Sequence, residues 1–167
     1  LGSSSTLISN IALWAKINPY SLCESSFGGS GYDIACGLAK GPIFFTRNSN
    51  KPIIQKINFS PSFNDKLFFV NLNKKMNSQN AVKNFDLKLV TRSIISKLNT
   101  LTDKIAQTKK LSAFEELITQ HEFLIGKLLK KNPIKKDLFP DFNGSIKSLG
   151  AWGGDFFLAT GDRSEMK

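Results

Sequence analysis

A glycine-rich segment that contains one acid constrains the folding of this chain more than any other feature. Residues 28–37 read Gly-Gly-Ser-Gly-Tyr-Asp-Ile-Ala-Cys-Gly, so four glycines surround the carboxylate of Asp33. Glycine adopts left-handed backbone angles and lets a ligand approach the main chain closely. We therefore expect a sharp turn that presents Asp33 just before a short buried helix over 34–40. A carboxylate held there can act as a catalytic base or face a metal ion; the simpler alternative is a turn whose Asp33 caps the next helix.

Composition limits the class of protein. The 167 residues are 41% hydrophobic and 22% charged, which is typical of a soluble globular domain or of part of a larger one. No apolar run approaches the length that spans a bilayer. Cys23 and Cys36 form neither a disulfide framework nor a metal-binding spacing, so we expect a reduced, cytoplasmic setting. The chain opens on Leu1 and stops soon after a strand-like run, and we expect a piece of a longer protein.

The net charge of +10 would attract nucleic acid or a small anionic ligand. The alternative is a set of solvated lysines, because many lie in helical stretches: Lys127, Lys130, Lys131, Lys135 and Lys136. Neither a zinc-finger spacing nor a basic motif interleaved with aromatic residues accompanies them. We therefore expect no nucleic-acid and no membrane partner, only a general attraction for phosphorylated ligands.

The first element is expected to be a helix over residues 3–17. Its apolar residues recur at helical spacing, as Leu7, Ile8, Ile11, Ala12 and Ala15. Ser3 and Ser4 can cap its start, just after Gly2. Free amides, hydroxyls and the helix dipole there suit a phosphate or a phosphate-bound magnesium ion. The pattern is not a Walker A motif, because Gly-Lys-Ser/Thr is missing, and a serine-capped amphipathic helix is the plainer alternative.

Beyond this helix we expect a short helical turn and three strands. The turn, over 20–25, carries Glu24, which is either a magnesium carboxylate or an exposed acid at a helix end. The strand candidates cover 43–47, 53–59 and 66–72, separated by turn-rich residues. Together they predict a compact antiparallel meander.

Two amphipathic helices are expected next. Over 81–109 one apolar stripe steps through Leu87, Val90, Ile94, Leu98, Leu101 and Ile105. A capping box at Ser112 to Glu115 is expected to start the second helix. Its predicted buried side chains are Phe114, Leu117, Ile118, Leu124, Ile125 and Leu128. His121 lies beside that face with no catalytic partner at a suitable spacing, so we expect it to be partly buried and hydrogen-bonded.

The last glycine-rich stretch lies between two strand-like runs. Residues 145–160 read Ser-Ile-Lys-Ser-Leu-Gly-Ala-Trp-Gly-Gly-Asp-Phe-Phe-Leu-Ala-Thr. This pattern predicts a hairpin whose loop comes close to another group. A plain glycine-rich hairpin is the alternative.

Taken in order, the three stretches resemble the motifs of the GHMP small-molecule kinases, which include galactokinase, homoserine kinase, mevalonate kinase and phosphomevalonate kinase. Residues 1–5 resemble the end of that family's phosphate loop, Pro-x-x-x-Gly-Leu-Gly-Ser-Ser-Ala. Residues 29–35 resemble the Gly-Ser-Gly-x-Asp segment of the mevalonate and phosphomevalonate branch, and 150–154 the third motif, Gly-Ala-Gly-x-Gly-Gly. The string Gly-Tyr-Asp-Ile-Ala at 31–35 also names a bacterial subgroup, the GYDIA family.

The resemblance implies transfer of the γ-phosphate of ATP, with Mg²⁺, to a small metabolite, in the mevalonate pathway. Asp33 would take the proton from an attacking hydroxyl or, for a phosphate acceptor, orient it or bind magnesium. The ATP phosphates would be held by Gly2, Ser3 and Ser4 and by Gly150, Ala151, Gly153 and Gly154. The magnesium ligands would be Ser4 and Glu24. The substrate loop would consist of Gly29, Ser30 and Gly31.

The implied fold is α+β. Residues 1–47 would be the remainder of the ATP-binding N-terminal domain, with its phosphate-loop helix. Residues 48–167 would be a ferredoxin-like C-terminal domain of antiparallel sheet and helices, truncated at its end. The missing N-terminal half would leave this fragment inactive by itself, and a homodimer is an open alternative to a monomer.

The chain departs from the family pattern in three places. Glu24 lies nearer to Asp33 than the magnesium glutamate does in mevalonate kinase. Trp152 stands where the third motif usually has glycine, so we expect that loop to lack the usual backbone freedom. Ser5 and Thr6 replace small alanines. The rival functions are a non-catalytic GHMP-fold protein that binds a metabolite, which Trp152 favours, and a kinase for another acceptor such as homoserine or a sugar. A nucleic-acid-binding module rests on net charge alone and predicts steeply salt-dependent binding.

Overall fold

The computed structural model describes residues 3–48, 51–73, 85–150, 152 and 156–166. The chain divides into two compact units, Leu1–Phe59 and Ser60–Lys167. The first contains α1 (Ser3–Ala15), α2 (Pro19–Ser26), α3 (Tyr32–Leu38), β1 (Ile43–Thr46) and β2 (Ile53–Lys56). The second contains β3 (Leu67–Asn71), α4 (Arg92–Gln107), α5 (Leu111–Leu129), α6 (Ile134–Leu138), β4 (Ile146–Ser148) and β5 (Phe156–Thr160). The expected α+β class is confirmed, and the domain boundary between 47 and 48 stays a prediction.

The first unit is a cluster of three helices followed by a β-hairpin. α1 packs against α2 and α3, and its buried residues are Ile8 and Ala12. The side chain of Asn18 caps α2 by accepting the backbone N–H of Tyr20 at 2.8 Å. β1 and β2 pair antiparallel. α3 lies against β1, where the ring of Tyr32 meets that of Phe45 edge-on.

The second unit is a three-stranded antiparallel sheet with helices. The strand order is β3-β5-β4, and β5 therefore lies in the centre. α4 and α5 pack as a pair, while α5 and α6 both contact β4. The core consists of Ile134, Ile146, Phe157 and Ala159, surrounded by Val70, Leu72, Phe139, Phe142 and Met166. Alternation along β4 and β5 places Ile146, Phe157 and Ala159 on one face of the sheet.

The expected three-stranded meander is wrong. β1 pairs with β2, whereas β3 pairs with β5 and belongs to the sheet of the second unit. All four residues of β2, Ile53 and Ile54 among them, are exposed, so this strand buries no apolar face. The apolar β3 is instead half-buried against the strand that follows the last glycine-rich stretch.

The starts of the two long helices also differ from expectation. α4 begins at Arg92, and the Thr91 side chain caps it by accepting the backbone N–H of Ile94 at 3.2 Å. Leu87 lies in a preceding 3-10 turn, and its side chain is 77% exposed. Residues 81–84 lie outside the described part of the chain. α5 begins at Leu111 after a residue with no side-chain cap, so the capping box is wrong. The expected apolar face of α5 is confirmed, with Phe114, Ile118 and Leu128 buried and Leu117, Leu124 and Ile125 half-buried.

Candidate functional site

The glycine-rich turn between α2 and α3 has the left-handed backbone that its composition predicts. Gly28, Gly29 and Gly31 have φ angles of +68°, +100° and +77°. At the start of the turn, the N–H of Gly28 donates a hydrogen bond to the carbonyl of Cys23 at 2.8 Å. A Cβ at Gly31 would lie 2.9 Å from Cδ1 of Tyr20, so both backbone angle and close approach require glycine at this position.

Asp33 is presented by this turn on the first turn of α3. The helix begins at Tyr32, so the carboxylate stands inside the helix and the residue at the N-cap is Gly31, which makes no side-chain hydrogen bond. Ile34 and Ala35, the next two residues, are buried. Asp33 itself is exposed. A buried anchor thus holds an accessible acid directly after a rigid turn, which is the arrangement that a general base or an orienting group needs.

The charge of Asp33 acts on three neighbouring groups. Burial raises the pKa of Tyr32 to about 12, and the adjacent Asp33 carboxylate adds to the rise. Burial also raises the pKa of the Cys23 thiol and of the Cys36 thiol, again with a contribution from Asp33. The tyrosine and both thiols are therefore neutral near pH 7, and the negative charge felt by all three is that of Asp33.

The magnesium ligands and the phosphate-binding residues predicted at the start of α1 belong to the same unit as Asp33. α1 begins at Ser3, Ser4 is exposed in its first turn, and Gly2 lies outside the described residues. Glu24 is exposed on α2. Within the described residues, no group of three or more His, Cys, Asp or Glu side chains could hold a metal ion. Mg²⁺ commonly takes one or two protein oxygens together with substrate phosphates and water, and the pair of Ser4 and Glu24 as its ligands stays a prediction.

The last glycine-rich stretch lies in the second unit, and the expected hairpin is confirmed by the antiparallel pairing of β4 with β5. Gly150 has φ +58°. Of the other predicted residues there, Ala151, Gly153 and Gly154 lie outside the described part of the chain. Trp152 also has φ +58°. A tryptophan therefore does not prevent a glycine-like backbone at this position.

Packing explains how a tryptophan tolerates that backbone. The side chain of Trp152 is 5% exposed, and a Cβ placed on Gly126 of α5 would lie 2.9 Å from its Cη2 atom. The indole therefore rests directly on the helix backbone. Its Nε1 atom is buried without a hydrogen-bond partner among the described residues.

Two polar contacts between α5 and the sheet, one buried and one partly buried, were not predicted from the sequence. The Glu122 carboxylate, 2% exposed, accepts the backbone N–H of Ser148 at 3.0 Å and its hydroxyl at 2.6 Å. Similarly, the hydroxyl of Thr160 donates to Glu115 at 2.6 Å. The sequence offered one indication of these contacts. Glu115 and Glu122 fall on a helix face that is otherwise apolar, and an acid there requires a hydrogen-bond partner.

His121 is half-buried, as expected. Among the described residues, one of its ring nitrogens lacks the expected hydrogen bond. Nδ1 is buried with no partner among the described residues. Burial, and secondarily the charge of Lys147, lowers the pKa of His121 to about 4. Burial raises the pKa of the neighbouring Glu122 and lowers that of Lys147, whose Nζ donates to the carbonyl of Ser148 at 3.1 Å. The imidazole is therefore neutral at pH 7.

Comparisons with protein-family models, with curated proteins and with solved structures find no match to this chain. The kinase family therefore stays a hypothesis that rests on the three motifs. In the described ranges, no helix is both long and apolar enough to cross a membrane.

Proposed function

We propose that this chain is part of an ATP-dependent small-molecule kinase of the GHMP type, with a GHMP fold and a ferredoxin-like second unit. The observation that carries the proposal is the turn of left-handed glycines that presents the exposed Asp33 on α3. A second observation supports it: α3 packs against α1, the helix whose first residues are Ser3 and Ser4.

The proposed reaction needs little covalent chemistry from the protein. An acceptor oxygen forms a bond to the γ-phosphorus of ATP while the bond from that phosphorus to the ADP oxygen breaks. Catalysis of this step depends on positioning and on neutralising charge. The first-turn amides of α1 and the hydroxyl of Ser4 would hold the phosphates, and bound Mg²⁺, with Glu24 as a further oxygen ligand, would neutralise them.

The role of Asp33 depends on the acceptor. An alcohol must lose a proton as it attacks, and the exposed carboxylate of Asp33 can accept it. A phosphate monoester is already ionised, and Asp33 then orients it or contacts magnesium. We place the acceptor in the mevalonate pathway, because the turn resembles that branch of the family. We place the protein in the cytoplasm.

A screen for phosphoryl transfer tests the proposal. The natural protein that carries this sequence is given MgATP with mevalonate, phosphomevalonate, homoserine or common sugars. With an alcohol acceptor, Asp33→Asn should lower kcat at least about 100-fold, the contribution of a general base. Asp103→Asn, a change of an exposed aspartate on α4, is the matched control and should leave kcat unaltered. Absence of both turnover and ATP binding in the unsubstituted protein would reject the kinase.

One observation favours a second candidate, a GHMP-fold protein that binds a metabolite without catalysis. The buried indole of Trp152 occupies the place of a motif glycine, whose small size allows phosphates to approach. This candidate predicts that calorimetry detects a bound metabolite while no phosphoryl transfer occurs with any acceptor. Turnover that is lost in Asp33→Asn would exclude it.

A further inference from the structure

An apolar groove lies between α4 and α5, within the second unit. Its volume is about 400 Å³, and its walls, which are mainly apolar, include Leu101 of α4 and Phe123 and Leu124 of α5. Leu101 is buried and Leu124 is half-buried, whereas Phe123 is 52% exposed. Mainly apolar depressions of about 300–1,000 Å³ are typical of small-molecule sites. The groove can therefore take the apolar part of a ligand.

A cationic cleft adjoins this groove at Phe123, which lines both of them. The cleft measures about 290 Å³ and contains three lysines from the end of α5, namely Lys127, Lys130 and Lys131. A further lysine, Lys97 of α4, lines the groove. Among the described residues that line the groove or the cleft, none is acidic. Lysines around a concave surface concentrate positive potential, so the cleft favours an anion.

The contacts of these lysines leave their charge accessible to a ligand. The Nζ atom of Lys127 lies 4.3 Å from the centroid of the Phe123 ring, at the boundary between groove and cleft. Two carbonyls at the end of α5 accept hydrogen bonds from the N–H groups of Lys130 and Lys131, at 3.3 and 2.9 Å, which satisfies them without the ammonium groups. Lys131 also donates to the Trp152 carbonyl at 3.4 Å, and an ammonium group has further protons to give.

We propose that the groove and the cleft together bind an amphiphilic anion, with its apolar chain between α4 and α5 and its carboxylate or phosphate head among the lysines. Phe123 carries this inference, because it joins an apolar surface to a cationic one. An uncharged apolar ligand would gain nothing from the lysines, and an inorganic anion would gain nothing from the groove. The site lies within one unit and does not depend on the proposed kinase function.

A series of simple amphiphiles tests both halves of the site. Hexyl, octyl and decyl phosphate are titrated by calorimetry into the full chain, each below its micelle-forming concentration. Complete burial of one methylene strengthens binding about fourfold, and in a groove that is open on one side we expect about tenfold for every two methylenes. Decanoate in place of decyl phosphate distinguishes a carboxylate ligand from a phosphate ligand.

The contribution of the head group is measured separately. Decyl maltoside has the same chain with an uncharged head, and it should bind at least about tenfold more weakly than the better of the two anions. Added salt should weaken binding of the anions and leave that of the maltoside unaltered. Inorganic phosphate, which lacks the chain, should bind more weakly than hexyl phosphate.

Matched variants locate the site. Phe123→Ser should raise Kd for decyl phosphate about tenfold, and Ile95→Ser, which removes a similarly exposed apolar residue of α4 outside the groove, should not. Lys130→Gln should raise Kd about threefold, and Lys104→Gln, the same change at an exposed lysine of α4, is its control. If Phe123→Ser does not fold by circular dichroism, Thr100→Phe fills the groove from the other helix and should also weaken binding.

Nuclear magnetic resonance then shows where decyl phosphate binds. The amide shifts should change in residues 96–101 of α4 and 120–131 of α5. Absence of saturable binding by every anion would overturn the inference. So would equal affinity for decyl maltoside, an unaltered Kd in the variants at Phe123 and Thr100, or shift changes confined to other elements.

Discussion

The two glycine-rich turns reach similar backbone angles by opposite means. In the first unit, Gly28, Gly29 and Gly31 adopt left-handed angles because they lack a Cβ, and the turn then exposes Asp33. In the second unit, Trp152 adopts φ +58° against its own preference, because α5 buries its ring. The first conformation is a property of local sequence, and the second is imposed by tertiary packing. A turn of the first kind can be read from the sequence, and one of the second kind cannot.

The largest test of this contrast removes the indole. Trp152→Ala should destabilise the second unit by about 3–5 kcal/mol, since a large buried ring is lost and the strained backbone remains. Trp152→Gly loses the same ring but relieves the strain, so it should be more stable than Trp152→Ala by about 1 kcal/mol. Urea unfolding followed by circular dichroism measures both. Equal stability of the two variants would contradict a strained backbone at this position.

The sequence predicted features that depend on neighbours along the chain. The glycine turn before Asp33, the hairpin of β4 and β5, and the apolar face of α5 are all confirmed, because period and turn composition are local properties. The pairing of β3 with β5 was missed, since the partner strand comes after both long helices and spacing carries no information about it. Glu115 was assigned to a capping box, although its carboxylate instead binds Thr160 on the sheet. We expected Trp152 to deprive its loop of the usual backbone freedom. The contact between its ring and Gly126 exists only in the folded unit, so the sequence could not predict the left-handed backbone at Trp152.

The second test concerns the locally determined turn. Gly31→Ala should destabilise the first unit by about 2 kcal/mol, because alanine at φ +77° is strained and its Cβ meets the ring of Tyr20. Gly28→Ala meets no atom within 4 Å, so it should cost only the backbone strain, about 1 kcal/mol. Thermal unfolding of the two variants measures the difference. A Gly28→Ala variant as unstable as Gly31→Ala would show that the close approach of Tyr20 contributes nothing.

The smallest expected effect is a pH dependence in the stability of the second unit. The pKa of His121 on α5 is lowered from 6.5 to about 4, so the folded state binds this proton less tightly than the unfolded state. The stabilisation is therefore complete above pH 6.5 and is lost as the pH falls toward 4. Between pH 7 and pH 5 the second unit should lose about 1 kcal/mol through this group, less than full burial would give because the imidazole is only half-buried.

His121→Asn isolates this contribution. The pKa of the neighbouring Glu122 is raised, so its protonation favours the folded state as the pH falls and works in the opposite direction. Because Glu122 is present in both proteins, the difference between wild type and variant reports His121 alone. Hydrogen exchange at pH 7 and pH 5, with the slower intrinsic exchange at pH 5 corrected for, should show lower protection factors for the α5 and β4 amides at the lower pH, less so in the variant, and unaltered protection factors for α3 in both. Equal acid sensitivity of α3 and α5 would contradict the assignment, because His121 lies on α5.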